Sequence, residues 1–379
     1  MNESFLQVKN WLLSSGIAIS SPNSSNYGSV HSFYNSKNSS FGFLYPEITG
    51  YYIDTLYFLF NLENQEKYKI LVESSGNWLI KIFEKFGGIV MGIENEKPIQ
   101  NIAFSFDTSI CSSAMLKCHA MTNDSKFFKF AKNLLDWIID GSIEEDGTIL
   151  PFYDLKTKKF SENDQVWYKQ KGCLNIKTAI PFFKFYQITN SQNYLKIAEK
   201  ISNSYKIFQK SDGSFSIHEN SSVINLHTQC YALEGLLFAF HVTKQKQYLS
   251  ACEKALDWSV NHMENDGGIR LWFGNKYNSK AIYPIAQLIR LMILFDSYEK
   301  KSKYQQHVVK LMTFLLTFQE KSQNPQTHGG FYEESNKSIF GWSRNHKINS
   351  WGSMFALQAL SWFQNYGKLN FEREIEYLY

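Results

Sequence analysis

The chain is short of most features that declare a function outright. It holds 7 prolines in 379 residues and no stretch approaching 18 apolar residues without polar interruption, so an ordinary membrane span has no candidate. Its five cysteines (Cys111, Cys118, Cys173, Cys230, Cys252) form no C-x-x-C pair and are odd in number. That excludes a secreted disulfide scaffold and fits reduced, buried thiols. Charge of one sign is scarce too. The net charge is +4 with no run of five like charges, so neither an extended basic face for nucleic acid nor an acidic tail is present. The H-E-x-x-H, P-loop, G-x-G-x-x-G and G-x-S-x-G patterns are all missing, which removes the zincin, nucleotide, dinucleotide and α/β-hydrolase readings. The nine histidines are scattered without metal-ligand spacing, and no metal or other cofactor is expected. Residues 1–20 carry the acidic Glu3 and a broken apolar run, unlike a signal peptide. A cytoplasmic location is the expectation.

What the chain does have is rhythm. The punctuation Asp212-Gly213-Ser214-Phe215 returns as Phe41-Gly42-Phe43, Gly87-Gly88-Ile89, Asp146-Gly147-Thr148-Ile149, Asp266-Gly267-Gly268-Ile269 and His328-Gly329-Gly330-Phe331. The last five copies are roughly 55 to 65 residues apart, about the length of two helices and their loops. An aromatic residue (Tyr68, Phe128, Tyr194, Tyr248) stands about 19 residues before four of these glycines, and Tyr304 stands slightly further before Gly329. Each trailing helix is expected to end at its glycine, with the following Phe or Ile turned inward as a plug.

The periodicity predicts a first helix over 3–14 and a long surface connection over 15–40. Apolar and amphipathic helices then alternate: 51–62 with 65–86, 108–121 with 125–139, 174–188 with 192–208, 228–242 with 246–262, and 284–298 with 303–319. A last helix covers 351–366. Leading helices are apolar nearly all round, whereas trailing ones carry Lys and Glu on one face. An inner and an outer ring account for that contrast. The expected fold is an all-α (α/α)6 toroid of about six helical hairpins, one domain over 1–379, with helix 3–14 closing the outer ring. An open solenoid of hairpins is the competing architecture.

Hairpins that start Tyr194-Leu195-Lys196-Ile197-Ala198 or Tyr248-Leu249-Ser250-Ala251-Cys252 and finish in the Asp-Gly turn resemble the α/α-toroid carbohydrate enzymes. That group takes in unsaturated glucuronyl hydrolases, polysaccharide lyases, glucuronyl C5-epimerases and N-acylglucosamine 2-epimerases. The stretch Tyr45-Pro46-Glu47-Ile48-Thr49-Gly50-Tyr51-Tyr52, with Leu226-His227-Thr228-Gln229 and Ser350-Trp351, is similar to toroid proteins of surface-polysaccharide biosynthesis clusters. Terpene cyclases share such turns, but their D-x-D-D acid is missing from this chain. The resemblance implies an oligo- or polysaccharide partner.

In a toroid the inner helices run parallel, so their N-termini gather on one face. Residues at those N-termini are Glu47, Tyr51, Tyr52 and Asp54; Asp107; Asn175 and Lys177, with Lys169 and Lys171 nearby; His227 and Gln229; Tyr283, with Lys280; and Arg344, Asn345 and Trp351. Carboxylates, one histidine, cations and aromatics suit a sugar polymer, and an acidic one in particular. Hydrolysis needs two carboxyl groups, for which Glu47, Asp54 and Asp107 are the candidates. Ile53-Asp54 resembles the start that carries a catalytic Asp in unsaturated glucuronyl hydrolases. Elimination or epimerisation of a uronate needs a base and a charge-stabilising partner instead, roles open to His227, Tyr283, Asn175 and Arg344. Plain structural roles compete: Asp107 before Thr108 reads as an N-cap, and Tyr283 and Trp351 read as packing. A non-catalytic glycan-binding or scaffold protein is the third expectation.

Overall fold

The computed structural model describes residues 2–163 and 166–378. Its helices are α1 (Asn2–Ser14), α2 (Pro46–Glu63), α3 (Glu66–Phe86), α4 (Ser105–Thr122), α5 (Ser125–Ile139), α6 (Ala179–Thr189), α7 (Gln192–Lys206), α8 (Leu226–Thr243), α9 (Lys246–Asn261), α10 (Ile282–Glu299), α11 (Gln305–Leu316), α12 (Ser350–Gln364) and the short α13 (Phe371–Glu374). Among the described residues none is long and apolar enough to cross a membrane. All five cysteines are buried thiols outside any disulfide.

Two boundaries differ from expectation in ways that matter for the site. Helix α2 begins at Pro46 rather than near residue 51, because proline at the first helical position has its torsion preset and no N–H to leave unpaired. Glu47 therefore lies in the first turn of the helix. Helix α4 begins at Ser105 with Phe104 extended at its N-cap, so Asp107 is not the cap expected from its place before Thr108. It stands in the first turn, where its carboxylate meets the positive end of the helix.

The chain forms two compact units. One comprises Ala18–Ser32 and Phe43–Lys206. In it α2 packs on α3 and α4, α4 on α5 and α6, and α6 on α7. Leading helices are small-residue-rich where they meet, as at Gly50, which lies against Ile110 and Ala114. Trailing helices show one apolar stripe. In α5 the buried residues are Phe127, Phe130, Ala131, Leu134, Leu135 and Ile138, the spacing of a single helical face. The 3-10 turn Cys173–Thr178 replaces the first turn expected of α6.

The other unit takes the chain up to Ile17, then Phe33–Gly42 and Ile207–Leu378. Here α8 packs on α9 and α10, α10 on α11 and α12, and α1 on α12. The strand Phe33–Asn35 pairs with Lys347–Asn349 just before α12. Residues 15–40, expected as a surface connection, thus hold structure. Val30 is fully buried in the first unit, where its N–H donates to Thr49 Oγ1, and Tyr34 is buried in the second. The Phe41-Gly42-Phe43 copy of the turn is extended instead, with the Gly42 N–H donating to Phe33 O at 2.8 Å.

Four of the remaining turns, and Gly28 outside the repeat, share one device. Within the first unit, Gly147 lies against the backbone of Lys200 in α7, and Gly28 against Ser74 in α3. Within the second, Gly213 meets Lys254 in α9, Gly267 meets Lys310 in α11, and Gly329 meets Gln7 in α1. The plugs that follow, Ile149, Phe215, Ile269 and Phe331, are fully buried. Three of their N–H groups donate to side chains: Ile149 to Tyr205 Oη, Phe215 to Gln229 Oε1 and Phe331 to Ser353 Oγ.

Gly213 and Gly87 separate two costs. Both have positive φ, 95° and 75°, but a Cβ on Gly213 would lie 2.4 Å from Lys254 O, whereas one on Gly87 meets nothing within 4 Å. Gly87→Ala is expected to cost only the left-handed backbone penalty, about 1–2 kcal/mol, and Gly213→Ala distinctly more in chemical denaturation. Equal losses would show that the close approach does not hold the turn.

Candidate active site

Two polar clusters occupy the first turns of leading helices, one in each unit. In the first, Glu47 on α2 and Asp107 on α4 are 6% and 5% exposed. Burial lifts the Glu47 carboxyl to about 7, although hydrogen bonds from Tyr45 and Tyr51 and the Lys177 charge pull the other way. Burial and then the Glu47 charge push Asp107 well above the usual carboxylate range. Asp107 Oδ2 is buried with no hydrogen-bond partner among the described residues. Burial disfavours the charged form of both carboxyls, and the Glu47 charge adds to the effect at Asp107. Lys177, fully buried, stands with its Nζ 4.9 Å from the Tyr51 ring centre. Asn175 Nδ2 reaches Tyr205 Oη at 3.4 Å, so it is tied to the Ile149 plug. Tyr52 is buried, which pushes its phenol up.

Asp54, two turns along α2, is engaged differently. Its Oδ1 lies 2.5 Å from Lys117 Nζ of α4, both nearly inaccessible, which makes it a buried ion pair between leading helices.

The second cluster centres on His227 at the start of α8. Its Nδ1 lies 2.6 Å from Gln287 Oε1. Gln287 Nε2 donates to Glu234 Oε1 at 3.1 Å, which fixes the amide so that its oxygen faces the histidine. The neutral imidazole therefore carries its proton on Nδ1 and a lone pair on Nε2. Arg290 donates to Glu234 Oε1 at 2.6 Å and to Gln358 Oε1 at 2.8 Å, and its guanidinium stacks 4.5 Å from the Phe355 ring centre. Arg290 and Glu234 are both fully buried. The His227 ring contacts Tyr231 at 4.2 Å and Tyr283 at 4.5 Å, and Tyr283 contacts Trp351 at 5.8 Å. Burial, then the Glu333 and Glu334 charges, push Tyr283 well up, so its phenol stays protonated.

Not every residue expected at the rim faces a ligand. Gln229 is wholly buried with both amide ends used, accepting from Phe215 N and donating to Ser259 Oγ. It holds a plug instead of presenting to substrate. Arg344 is exposed on the strand Gly341–Arg344, stacked near Phe318 and Tyr332. Lys171 pairs with Glu144 and Glu162, and Lys280 with Glu264 and Asp266; these two cations are neutralised internally. Asn345 and Asn349 donate to Glu333 at 2.9 and 3.0 Å. Sequence reasoning missed Glu333, whose carboxyl is raised by burial. Its signal was Glu333-Glu334, one residue behind the Gly-Gly-Phe turn. Glu234, Gln287 and Arg290 were missed as well, because polar residues inside an apolar helix reveal no partner until the helices are packed. Among the described residues no group of three His, Cys, Asp or Glu could hold a metal ion.

No protein-family model matches the chain, and no curated protein matches it in sequence. Solved structures do match it in shape, and they define its class: the chain has the all-α fold of the (α/α)6 toroids. The cellobiose 2-epimerase of Bacillus thermoamylovorans superposes with a TM-score of 0.76 at 11% identity, covering 95% of this chain and 100% of that one. A D-mannose isomerase gives 0.77 at 11% identity, over 96% and 98% of the two chains. An unsaturated glucuronyl hydrolase specific for heparin gives 0.70 at 12% identity, over 97% and 98%.

Raising a carboxyl pKa on folding has a fixed sign. The stability tied to protonated Glu47 is complete below its unfolded value of 4.5 and lost as pH rises through about 7. Glu47→Gln is therefore expected to melt with the wild type at pH 4 and above it at pH 8.5, by up to about 3 kcal/mol. A wild type that is the more stable at pH 8.5 would refute burial of the charge. Glu234→Gln, which strands the Arg290 charge, is expected to cost about 3–5 kcal/mol. Lys132→Ala, which breaks the exposed pair with Asp136, should cost under about 1 kcal/mol.

Proposed function

We propose that the chain is a glycan-active enzyme that hydrolyses a glycosidic bond with the Glu47–Asp107 pair. The observation that carries this reading is the pair itself: two buried carboxyls in the first turns of packed helices, both raised by burial and Asp107 further by the Glu47 charge. Asp107, raised by burial and by the Glu47 charge, keeps the proton and donates it to the leaving oxygen as the C–O bond breaks. Glu47, ionised with help from Lys177 and Tyr51, takes a proton from the water that attacks the anomeric carbon. One water is consumed per bond broken. The fold's likeness to a glucuronyl hydrolase supports the substrate class. The resemblance of residues 45–52 to polysaccharide-cluster toroids supports a surface-polysaccharide glycan, met in the cytoplasm. An acidic sugar would meet Lys177, since Lys171 is already paired.

The His227 cluster favours a second reading, proton transfer at a carbon beside a carbonyl. With Nδ1 held by Gln287, Nε2 removes the proton while the Tyr283 phenol donates to the developing oxyanion, and return of the proton to the other face completes epimerisation. Return without inversion at a neighbouring carbon gives isomerisation. The fold's likeness to an epimerase and an isomerase supports this alternative.

A panel of acidic and neutral oligosaccharides read by mass, ultraviolet absorbance and solvent deuterium uptake decides between them. The expected result is a gain of one water per cleavage, with the rate rising as pH passes about 7 and Glu47 ionises. Glu47→Gln and Asp107→Asn should each lower kcat at least about 100-fold, with His227→Asn much milder. Deuterium uptake without mass gain from water, abolished by His227→Asn alone, would replace hydrolysis with proton transfer. Binding without any reaction would leave a glycan-binding protein.

A further inference from the structure

Far along α10 from Tyr283 lies a cavity of about 690 Å³ that neither reading uses. It is lined by Asp296, Tyr298 and Lys300 at the end of α10 and by Tyr366, Lys368 and Phe371 beyond α12. Tyr298 is fifteen residues beyond Tyr283, about 22 Å along the helix. The volume falls in the range of small-molecule sites.

Its chemistry is specific. Asp296 is 2% exposed. Oδ2 accepts from Tyr304 N at 2.9 Å and from the Tyr366 hydroxyl, but the buried Oδ1 has no hydrogen-bond partner among the described residues. An orphaned carboxylate oxygen is costly unless something donates to it. Two lysines on the lining, Lys300 and Lys368, are exposed and belong to none of the ion pairs among the described residues. Lys301, beside them, is neutralised by Glu299 at 3.0 Å, and Glu372 is taken by Lys244 and His241. Two unpaired cations therefore stand against one lining carboxylate outside the ion pairs, Asp296. Tyr298 packs on Phe371 with ring centres 5.1 Å apart, so the wall also offers aromatic surface to a ring.

We propose that this cavity is a second ligand site, for a pyranose bearing one anionic group. The anion pairs with Lys300 and Lys368, a sugar hydroxyl donates to Asp296 Oδ1, and the ring lies against the Tyr298–Phe371 wall. A uronate and a sugar phosphate share that chemistry. The site goes beyond the hydrolytic reading and does not rest on it.

Equilibrium binding to the full chain by calorimetry tests the site, with glucuronate, glucose 6-phosphate, glucose and inorganic phosphate as probes. One or both of the acidic sugars should bind saturably, which tells carboxylate from phosphate, while glucose and phosphate alone bind at least about tenfold more weakly. Lys300→Asn with Lys368→Ala should weaken the acidic sugar about tenfold or more, asparagine being tolerated in the left-handed backbone at residue 300. Ser297→Trp, which fills the cavity from its lining, should abolish binding, and Glu47→Gln should leave it unchanged. Inorganic phosphate binding as tightly as the sugars would overturn a sugar site. No binding by about 10 mM, or binding indifferent to both the lysine and the Ser297 variants, would overturn the proposal whether or not Glu47 proves catalytic.

Discussion

The structure depends on the seating of glycine turns against the backbone of trailing helices. A side chain at Gly213, Gly267 or Gly329 would enter a neighbouring carbonyl, so each turn can seat only where no Cβ intervenes. Once seated, it drives a plug residue such as Phe215 into the interior and brings the next leading helix to its starting point. The buried hydrogen bonds that plug N–H groups donate to Tyr205, Gln229 and Ser353 belong to the same device. They satisfy backbone donors that the turn geometry would otherwise strand.

Where the leading helices begin sets which side chains stand in their first turns. Glu47 and Asp107 are there in one unit, and His227 and Tyr283 in the other. The price is electrostatic. Two carboxyls share an apolar, water-poor setting, and Arg290 and Glu234 form a wholly buried ion pair, an arrangement that favours defined geometry over maximum stability. The histidine gains a fixed tautomer from that expense, through Gln287.

The repeat was legible because glycine and aromatic marks recur at a period that only helical hairpins satisfy, and because leading and trailing helices differ in how far round their apolar surface extends. Helix starts were less so. Pro46 moved the start of α2 ahead of the apolar run, since a terminal proline is invisible to hydrophobic periodicity, and the same blindness made Asp107 look like a cap. Candidate residues were legible by type but not by engagement. Nothing in the order of residues says that Gln229 spends its amide on Phe215 or that Asp54 faces Lys117. Gln287 and Arg290 acquire meaning only through partners more than 50 residues away in the chain.

The seating of Gly329 on α1 has a consequence for the order of folding. The nitrogen of the Trp11 indole donates to Gln326 O, and Gln319 Nε2 donates to Ser4 O. Helix α1 is made before these partners and therefore waits more than 300 residues for its permanent neighbours. The unit made of Ala18–Ser32 and Phe43–Lys206 draws its contacts from one nearly continuous stretch and can assemble while synthesis is under way. The other unit is completed only once the final third of the chain has emerged, and until then the apolar face of α1, Val8 with Trp11 and Leu12, is a surface for chaperones to shield.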